Sequence, residues 1–174
     1  MIQKTKFITR AAIIGAMYFA LTHLQNLLLP NSASFAIQCR ASEALCVLAF
    51  FTPAAIPGLT VGCLLFNISY AGALPLDFLV GSLASLTAAI AMWLTRNVKI
   101  KGYPLLGMTM PALSNAILVG WELTVYLGDT GFTLAAFWIN AVYVALGELI
   151  VLFTIGTIVY HALNRNGLAS KIFE

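Results

Sequence analysis

The chain has 174 residues and a mass of 18.7 kDa, and 61% of its residues are hydrophobic while only 9% are charged. This composition, with a mean hydropathy of +0.95, excludes an ordinary water-soluble domain. One helical crossing of a hydrocarbon core of about 30 Å takes about 20 residues, so the length allows about six spans at most and no sizeable soluble domain beside them. The net charge is +3, and the basic residues follow the ends of apolar runs instead of forming a stripe that binds nucleic acid.

Six apolar segments are predicted to be membrane helices, and they cover residues 7–29, 41–52, 54–71, 77–95, 104–127 and 134–163. The first segment follows basic residues, as in a signal peptide, but its length of roughly 20 residues is too great for a cleavable apolar core. The second and third segments are short, so they are predicted to be tilted helices or a partly re-entrant pair. Residues 30–40 are predicted to be an outer loop, because their period-two alternation is typical of an extended segment or small hairpin.

The distribution of basic residues predicts the orientation of these helices. With a cytoplasmic N-terminus and helices that alternate in direction, eight of the nine basic residues fall inside: Lys4, Lys6, Arg10, Arg96, Lys99, Lys101, Arg165 and Lys171. We therefore predict an all-α membrane protein, a single integral domain of six transmembrane helices with both termini in the cytoplasm. The ninth basic residue, Arg40, falls at the outer mouth, where Glu43, Asp77, Glu122 and Asp129 are also predicted.

Ionisable side chains in or beside apolar helices are costly unless they are paired or used. The first candidates for a binding site are therefore Arg40, Glu43, Asp77, Glu122 and Glu148. Structural roles are the alternative: Arg40 and Glu43, three residues apart at a helix start, can neutralise each other. Asp77 can cap the N-terminus of the fourth helix.

The fifth and last helices carry further polar and aromatic side chains near these carboxylates: Asn115, Trp121, Trp138 and Asn140. Asn115, Glu122 and Tyr126 share one face of the fifth helix. The two tryptophans either stack on a flat ligand or serve as interfacial anchors. Carboxylates accept pairs of N–H donors and amides both donate and accept. The pattern therefore indicates an outward-opening pocket for a polar, nitrogen-rich small molecule with a positive group or several donors.

The sequence contains no Walker-type phosphate loop, no Ser/His/Asp arrangement and no HExxH motif. Nothing in it predicts ATP binding, catalysis, a cofactor or a metal. The three cysteines, Cys39, Cys46 and Cys63, lack metal-ligand spacing and are odd in number, so they are interpreted as packed thiols. Gly58 and Gly62 form a small-xxx-small pair that is typical of close helix packing.

One stretch of the chain is more distinctive than the rest, and it reads Gln38-Cys39-Arg40-Ala41-Ser42-Glu43-Ala44-Leu45. It continues through residues 51–59 to Gly62, Cys63 and Asn67, and Asn67 is a further candidate for ligand binding. Over nearly its whole length, the chain resembles the QueT family. These are substrate-binding S components of energy-coupling factor (ECF) transporters, thought to take up queuosine precursors. Further matches lie at Leu76-Asp77, at residues 81–84 and at residues 111–122.

The resemblance implies a six-helix S component whose outer loop, about residues 30–40, closes over the substrate near the external surface. Ala12 and Ala16 match the Ala-xxx-Ala motif by which such components dock on the transmembrane coupling subunit. Two cytoplasmic ATPases complete the complex in the plasma membrane of a prokaryotic cell. The ligands implied are 7-deazaguanines such as 7-aminomethyl-7-deazaguanine, which agree with the pocket inferred from the residues.

Within this pocket we expect acidic side chains on the N–H groups of the ligand, with Glu122 or Glu43 on the purine edge and Asp77 near the cationic tail. The carbonyl and the ring plane are expected to contact amides and indoles, namely Gln38, Asn115, and Trp121 or Trp138. Two other functions stay open: an S component for another vitamin-like compound, and a non-transporting membrane assembly protein. An intramembrane enzyme is disfavoured because no nucleophile with a neighbouring base is visible.

Overall fold

The structure is a computed structural model that describes residues 2–30, 39–127 and 131–173. Within these ranges the chain is mostly helical, which confirms the predicted helical class. The elements are α1 (Ile2–Leu28), a central 3₁₀ helix (Ala41–Phe50), α2 (Ala55–Ser69), α3 (Asp77–Thr95), α4 (Leu105–Met108), α5 (Met110–Leu127), α6 (Leu134–Val151), a π-helical turn (Leu152–Gly156), α7 (Thr157–Asn164), a 3₁₀ turn (Arg165–Gly167) and α8 (Leu168–Phe173). Most of the predicted outer loop, with Gln38, and Asp129 lie outside the described residues.

Among the described residues, three helical stretches are long and apolar enough to cross a membrane: Gln3–Leu28, Asp77–Thr95 and Leu134–Asn164. The last of these is the continuous run of α6, the π-helical turn and α7. The central 3₁₀ helix and α2 are apolar but shorter, with 10 and 15 residues. Six crossings and the side on which the termini lie therefore stay predictions.

The segment predicted as a short helix over residues 41–52 forms a 3₁₀ helix of ten residues in place of an α-helix. It lies inside the bundle and contacts α1, α2, α3, α6 and α7, so all of residues 42–50 are buried. At about 2.0 Å per residue it spans roughly 20 Å, less than a hydrocarbon core of about 30 Å. A 3₁₀ helix has three side-chain rows. Each row here includes a small residue, Ser42, Ala44 or Cys46, which leaves room for surrounding helices.

Helices that follow one another in the chain pack side by side around this central helix: α1 on α2, α2 on α3, α3 on α5, and α5 on α6. The crossing of α1 and α2 is close because it is lined by glycine. A Cβ on Gly58 would lie 2.7 Å from the backbone oxygen of Ala11, and a Cβ on Gly62 would lie 2.7 Å from that of Gly15. The predicted small-residue pair thus packs against the backbone of α1.

The helix termini group into two opposite ends of the bundle. The end of the central helix meets α4 and α7, since a Cβ on Gly107 of α4 would touch the Phe50 ring and the rings of Phe50 and Tyr160 are 5.9 Å apart. Thr95, at the end of α3, lies 3.0 Å from the same Cβ. The eight basic residues that were predicted to lie inside are at the start of α1, between α3 and α4, and after α7, so this is called the basic end. Arg40 begins the central helix at the opposite end.

Candidate functional site

Four carboxyl side chains interact electrostatically with the guanidinium of Arg40, and we call these five side chains the acidic cluster. Arg40 is only 6% exposed and interacts electrostatically with Glu43 and Asp77. Glu122 and Glu148 interact electrostatically with Arg40 as well. The carboxylates come from the central helix, α3, α5 and α6, so packing of the whole bundle is needed to assemble the cluster. If every group is ionised, the negative charges exceed the positive charge by three.

Glu43 is held by protein donors on both of its oxygens. The Tyr18 hydroxyl of α1 donates to Oε1, and the Cys46 thiol donates to Oε2 at 3.1 Å. Beside this contact, the Thr22 hydroxyl lies 2.7 Å from that of Ser42. Sequence reasoning missed Tyr18 and Thr22, although their i, i+4 spacing on an apolar helix was a usable signal.

Glu122 is wholly buried, yet neither carboxylate oxygen has a hydrogen-bond partner among the described residues. It interacts electrostatically with the guanidinium of Arg40 and with the carboxyl group of Asp77, and Asp77 supplies no donor when both carboxyl groups are ionised. Asp77 Oδ2 accepts the backbone N–H of Leu74 at 2.7 Å. The alternative that Asp77 caps α3 is wrong, because Leu76 occupies the N-cap position and Asp77 is the first helical residue. Its carboxylate closes the preceding turn.

Glu148 has one oxygen with a partner and one without. The Asn115 side-chain amide donates to Oε1 at 3.0 Å, whereas Oε2 has no hydrogen-bond partner in the described part of the chain. Both residues are buried, at 2% and 6% exposure. Of the predicted polar face of α5, Asn115 and Glu122 point inward, while Tyr126 is 39% exposed.

The other two predicted amides join helices to each other. The Asn67 amide donates to the backbone oxygen of Asp77 at 2.8 Å, which links α2 to α3. The Asn140 amide donates to the Thr124 hydroxyl at 3.0 Å, which links α6 to α5. Both amides are therefore engaged in helix packing, and Gln38 is outside the described residues.

The two predicted tryptophans are not brought to the acidic cluster. Trp121 and Trp138 are 43% and 60% exposed, and each lies in an exposed apolar stripe at i, i+4 spacing: Leu113, Ile117, Trp121 and Val125 on α5, and Leu134, Trp138, Val142, Leu146 and Ile150 on α6. Two other aromatic side chains do lie near the cluster: Tyr18, which donates to Glu43, and Phe66, whose ring centroid is 5.9 Å from Arg40 Cζ. Phe66 stacks on Tyr70, with 5.4 Å between centroids. Phenylalanine in an apolar helix gives no signal that separates such a role from core packing.

Ala12 and Ala16 lie on the outer surface of the bundle, where both are exposed. They line an apolar groove of about 700 Å³ between α1 and α2. The groove also includes the exposed side chains of Ile8, Val61 and Leu65. The structure therefore separates the two predicted sites, with the acidic cluster inside the bundle and the alanine pair outside.

Comparison with known families gives one match, to a model described as the QueT transporter, and it covers residues 8–165. This range includes the acidic cluster and the alanine pair. The match confirms the resemblance carried by the segment around residues 38–45. Among curated proteins and among solved structures, none matches the chain significantly.

Proposed function

The chain belongs to the QueT transporter family, and we propose that it is the substrate-binding S component of an ECF-type ABC importer for a queuosine precursor. The ligand is a 7-deazaguanine such as 7-aminomethyl-7-deazaguanine. The observation that carries the proposal is the acidic cluster. A buried carboxylate is costly unless a donor or a positive charge accompanies it. Four carboxylates around Arg40 therefore favour a ligand with several N–H donors and a positive charge.

The orientation of the chain in the membrane follows from its basic end. Cytoplasmic ends of membrane helices carry an excess of Lys and Arg, so the basic end is assigned to the cytoplasm. The acidic cluster then lies toward the outer face, at the end of the bundle where Arg40 begins the central helix. A substrate arriving from outside reaches the cluster without crossing the bilayer. Six crossings with both termini inside complete this proposal for the plasma membrane of a prokaryotic cell.

The alanine pair is proposed as the docking face for the transmembrane coupling subunit. Small side chains let helix backbones approach closely, and the groove beside Ala12 and Ala16 is apolar enough to receive a helix within the bilayer. Two cytoplasmic ATPases are proposed to supply the energy, so the chain itself binds substrate and performs no reaction.

The proposal is tested by calorimetric titration of the detergent-purified chain with 7-aminomethyl-7-deazaguanine, with guanine and riboflavin as controls. We expect saturable binding of the deazaguanine, weaker binding of guanine and none of riboflavin. Binding of a different vitamin-like compound alone would point to an S component of another specificity. A folded sample, monodisperse by size-exclusion chromatography, that binds no small molecule would favour the assembly-protein alternative.

A further inference from the structure

We infer that the acidic cluster binds its ligand at two separate poles, a two-oxygen pole at Glu122 and a one-oxygen pole at Glu148, and that these poles fix the ligand's orientation. The purine edge then faces Glu122 and the aminomethyl group faces Glu148. This inference rests on the proposed function. It chooses Glu122 over Glu43 for the purine edge and gives Glu148 a contact with the aminomethyl group that the sequence pattern does not assign. It differs from the expectation that Asp77 holds the cationic tail.

The four carboxylates form two pairs, and the buried oxygens without a protein donor belong to one member of each pair. Glu148 interacts electrostatically with Glu43, which accepts hydrogen bonds from Tyr18 and Cys46 on its two oxygens. Glu122 interacts with Asp77, which accepts the N–H of Leu74.

One member of each pair has acceptor oxygens that the described protein does not use. These are both oxygens of Glu122 and Oε2 of Glu148. A buried acceptor without a donor is destabilising, and buried polar atoms in native proteins almost always have partners. The three oxygens therefore mark where donors from a ligand bind. Two oxygens of one carboxylate suit two parallel N–H groups, whereas a single oxygen suits one ammonium group.

The two poles lie at different levels along α5. Asn115 and Glu122 are seven residues apart on this helix, a rise of roughly 10 Å at about 1.5 Å per residue. The amide of Asn115 holds one oxygen of Glu148 3.0 Å away. A ligand that reaches both poles therefore carries its donors at opposite ends. An aminomethyl-deazaguanine presents two N–H groups on one side and an ammonium group on the other.

Arg40 interacts electrostatically with carboxylates of both pairs. Its charge reduces the repulsion between the poles but leaves a negative excess. A ligand with a single cationic group therefore finds its electrostatic partner at one pole only. Glu122, which is wholly buried and has two unused oxygens, is the pole for the neutral edge of the ligand. Glu148 is the pole for its cation.

The test compares three ligands on the full-length purified chain by calorimetry: 7-aminomethyl-7-deazaguanine, its 7-cyano analogue, which lacks the cation, and its analogue without the 2-amino group, which lacks one edge donor. Glu148→Gln is expected to remove the preference for the aminomethyl over the cyano compound. Since a charge-assisted hydrogen bond is among the stronger ones, we expect that preference to be about tenfold or more in the wild type. Glu122→Gln is expected to weaken the binding of both the aminomethyl and the cyano compound. It is also expected to remove the discrimination against the analogue without the 2-amino group.

Asp77→Asn is the matched comparison, because it neutralises the other carboxylate that was expected near the cation. The inference is overturned if Asp77→Asn removes the aminomethyl preference and Glu148→Gln retains it. If Glu148→Gln does not fold, Glu148→Asp is used instead, because it moves the carboxylate back by one methylene group. An unchanged preference for the aminomethyl over the cyano compound in Glu148→Asp also overturns the inference. A wild-type chain that binds none of the three compounds contradicts the proposed function itself, which separates the two failures.

Discussion

The crossing of α1 and α2 leads to a prediction about Gly58, because no side chain fits there without moving a helix. In Gly58→Ala the new Cβ would lie 2.7 Å from the backbone oxygen of Ala11 and 3.0 Å from Cβ of Ile14. Ordinary contact begins at 3.4 Å, so the backbones have to separate by roughly 0.7 Å. Neither atom lies at the far end of a flexible side chain that could turn away.

Two opposing effects set the size of the change. Alanine has a higher helix propensity than glycine by about 1 kcal/mol, which favours the variant. Overpacking typically costs about 1–3 kcal/mol, which opposes it. Gly156→Ala is the matched control, because the nearest atom to its Cβ is a methyl group of Val47, at 3.3 Å, and the backbone oxygen of Val151 is 3.7 Å away, at ordinary contact distance. We expect Gly58→Ala to be less stable than Gly156→Ala by about 1–3 kcal/mol, because the steric cost falls mainly on the former.

Thermal unfolding in detergent measures the difference between the two variants. For a chain of this length, about 1 kcal/mol corresponds to roughly 2–4 °C in the unfolding midpoint. Gly58→Ala is therefore expected to unfold at least a few degrees below Gly156→Ala. Equal midpoints would show that α1 and α2 do not approach as closely as the structure places them, and the reasoning on glycine at this crossing would be refuted.

Two further predictions concern buried hydrogen bonds. Tyr18→Phe leaves an oxygen of Glu43 without its donor and is expected to destabilise the fold by about 1–3 kcal/mol in thermal unfolding. Tyr143→Phe, at an exposed position, should leave the midpoint unchanged, and equal effects of both would contradict the role given to Tyr18. Thr124→Val removes the acceptor of the Asn140 amide and is expected to cost about 1 kcal/mol in the same assay. A variant as stable as the wild type would show that this link does not hold α5 to α6.

The helical class of the chain could be predicted from the sequence because long apolar runs in a membrane protein have few alternatives to helix. The conformation of residues 41–50 could not be predicted. Ten apolar residues of the same composition can form either a 3₁₀ helix or an α-helix. This segment differs from the other predicted helices in being enclosed by its neighbours. Such enclosure depends on contacts between distant parts of the chain, which local periodicity does not contain.

The charged residues of the site could be selected from the sequence because ionisable side chains are rare in apolar helices. Their partners could not be selected. Glu43 pairs with Tyr18, 25 positions away, and Glu148 with Asn115, 33 positions away, so both pairs depend on helix packing. Trp121 was a candidate because an indole ring can stack on a flat ligand, but its position on α5 places it in an exposed apolar stripe.

The contrast between Glu43 and Glu122 argues against a purely structural role for the acidic cluster. Both side chains are almost completely buried, and the chain provides Glu43 with a hydroxyl and a thiol donor. Glu122 receives no donor from the described residues. A cluster that served only packing would gain stability by satisfying Glu122 in the same way. An acceptor that is held in place but left without a protein donor is suited to a donor that arrives with the ligand.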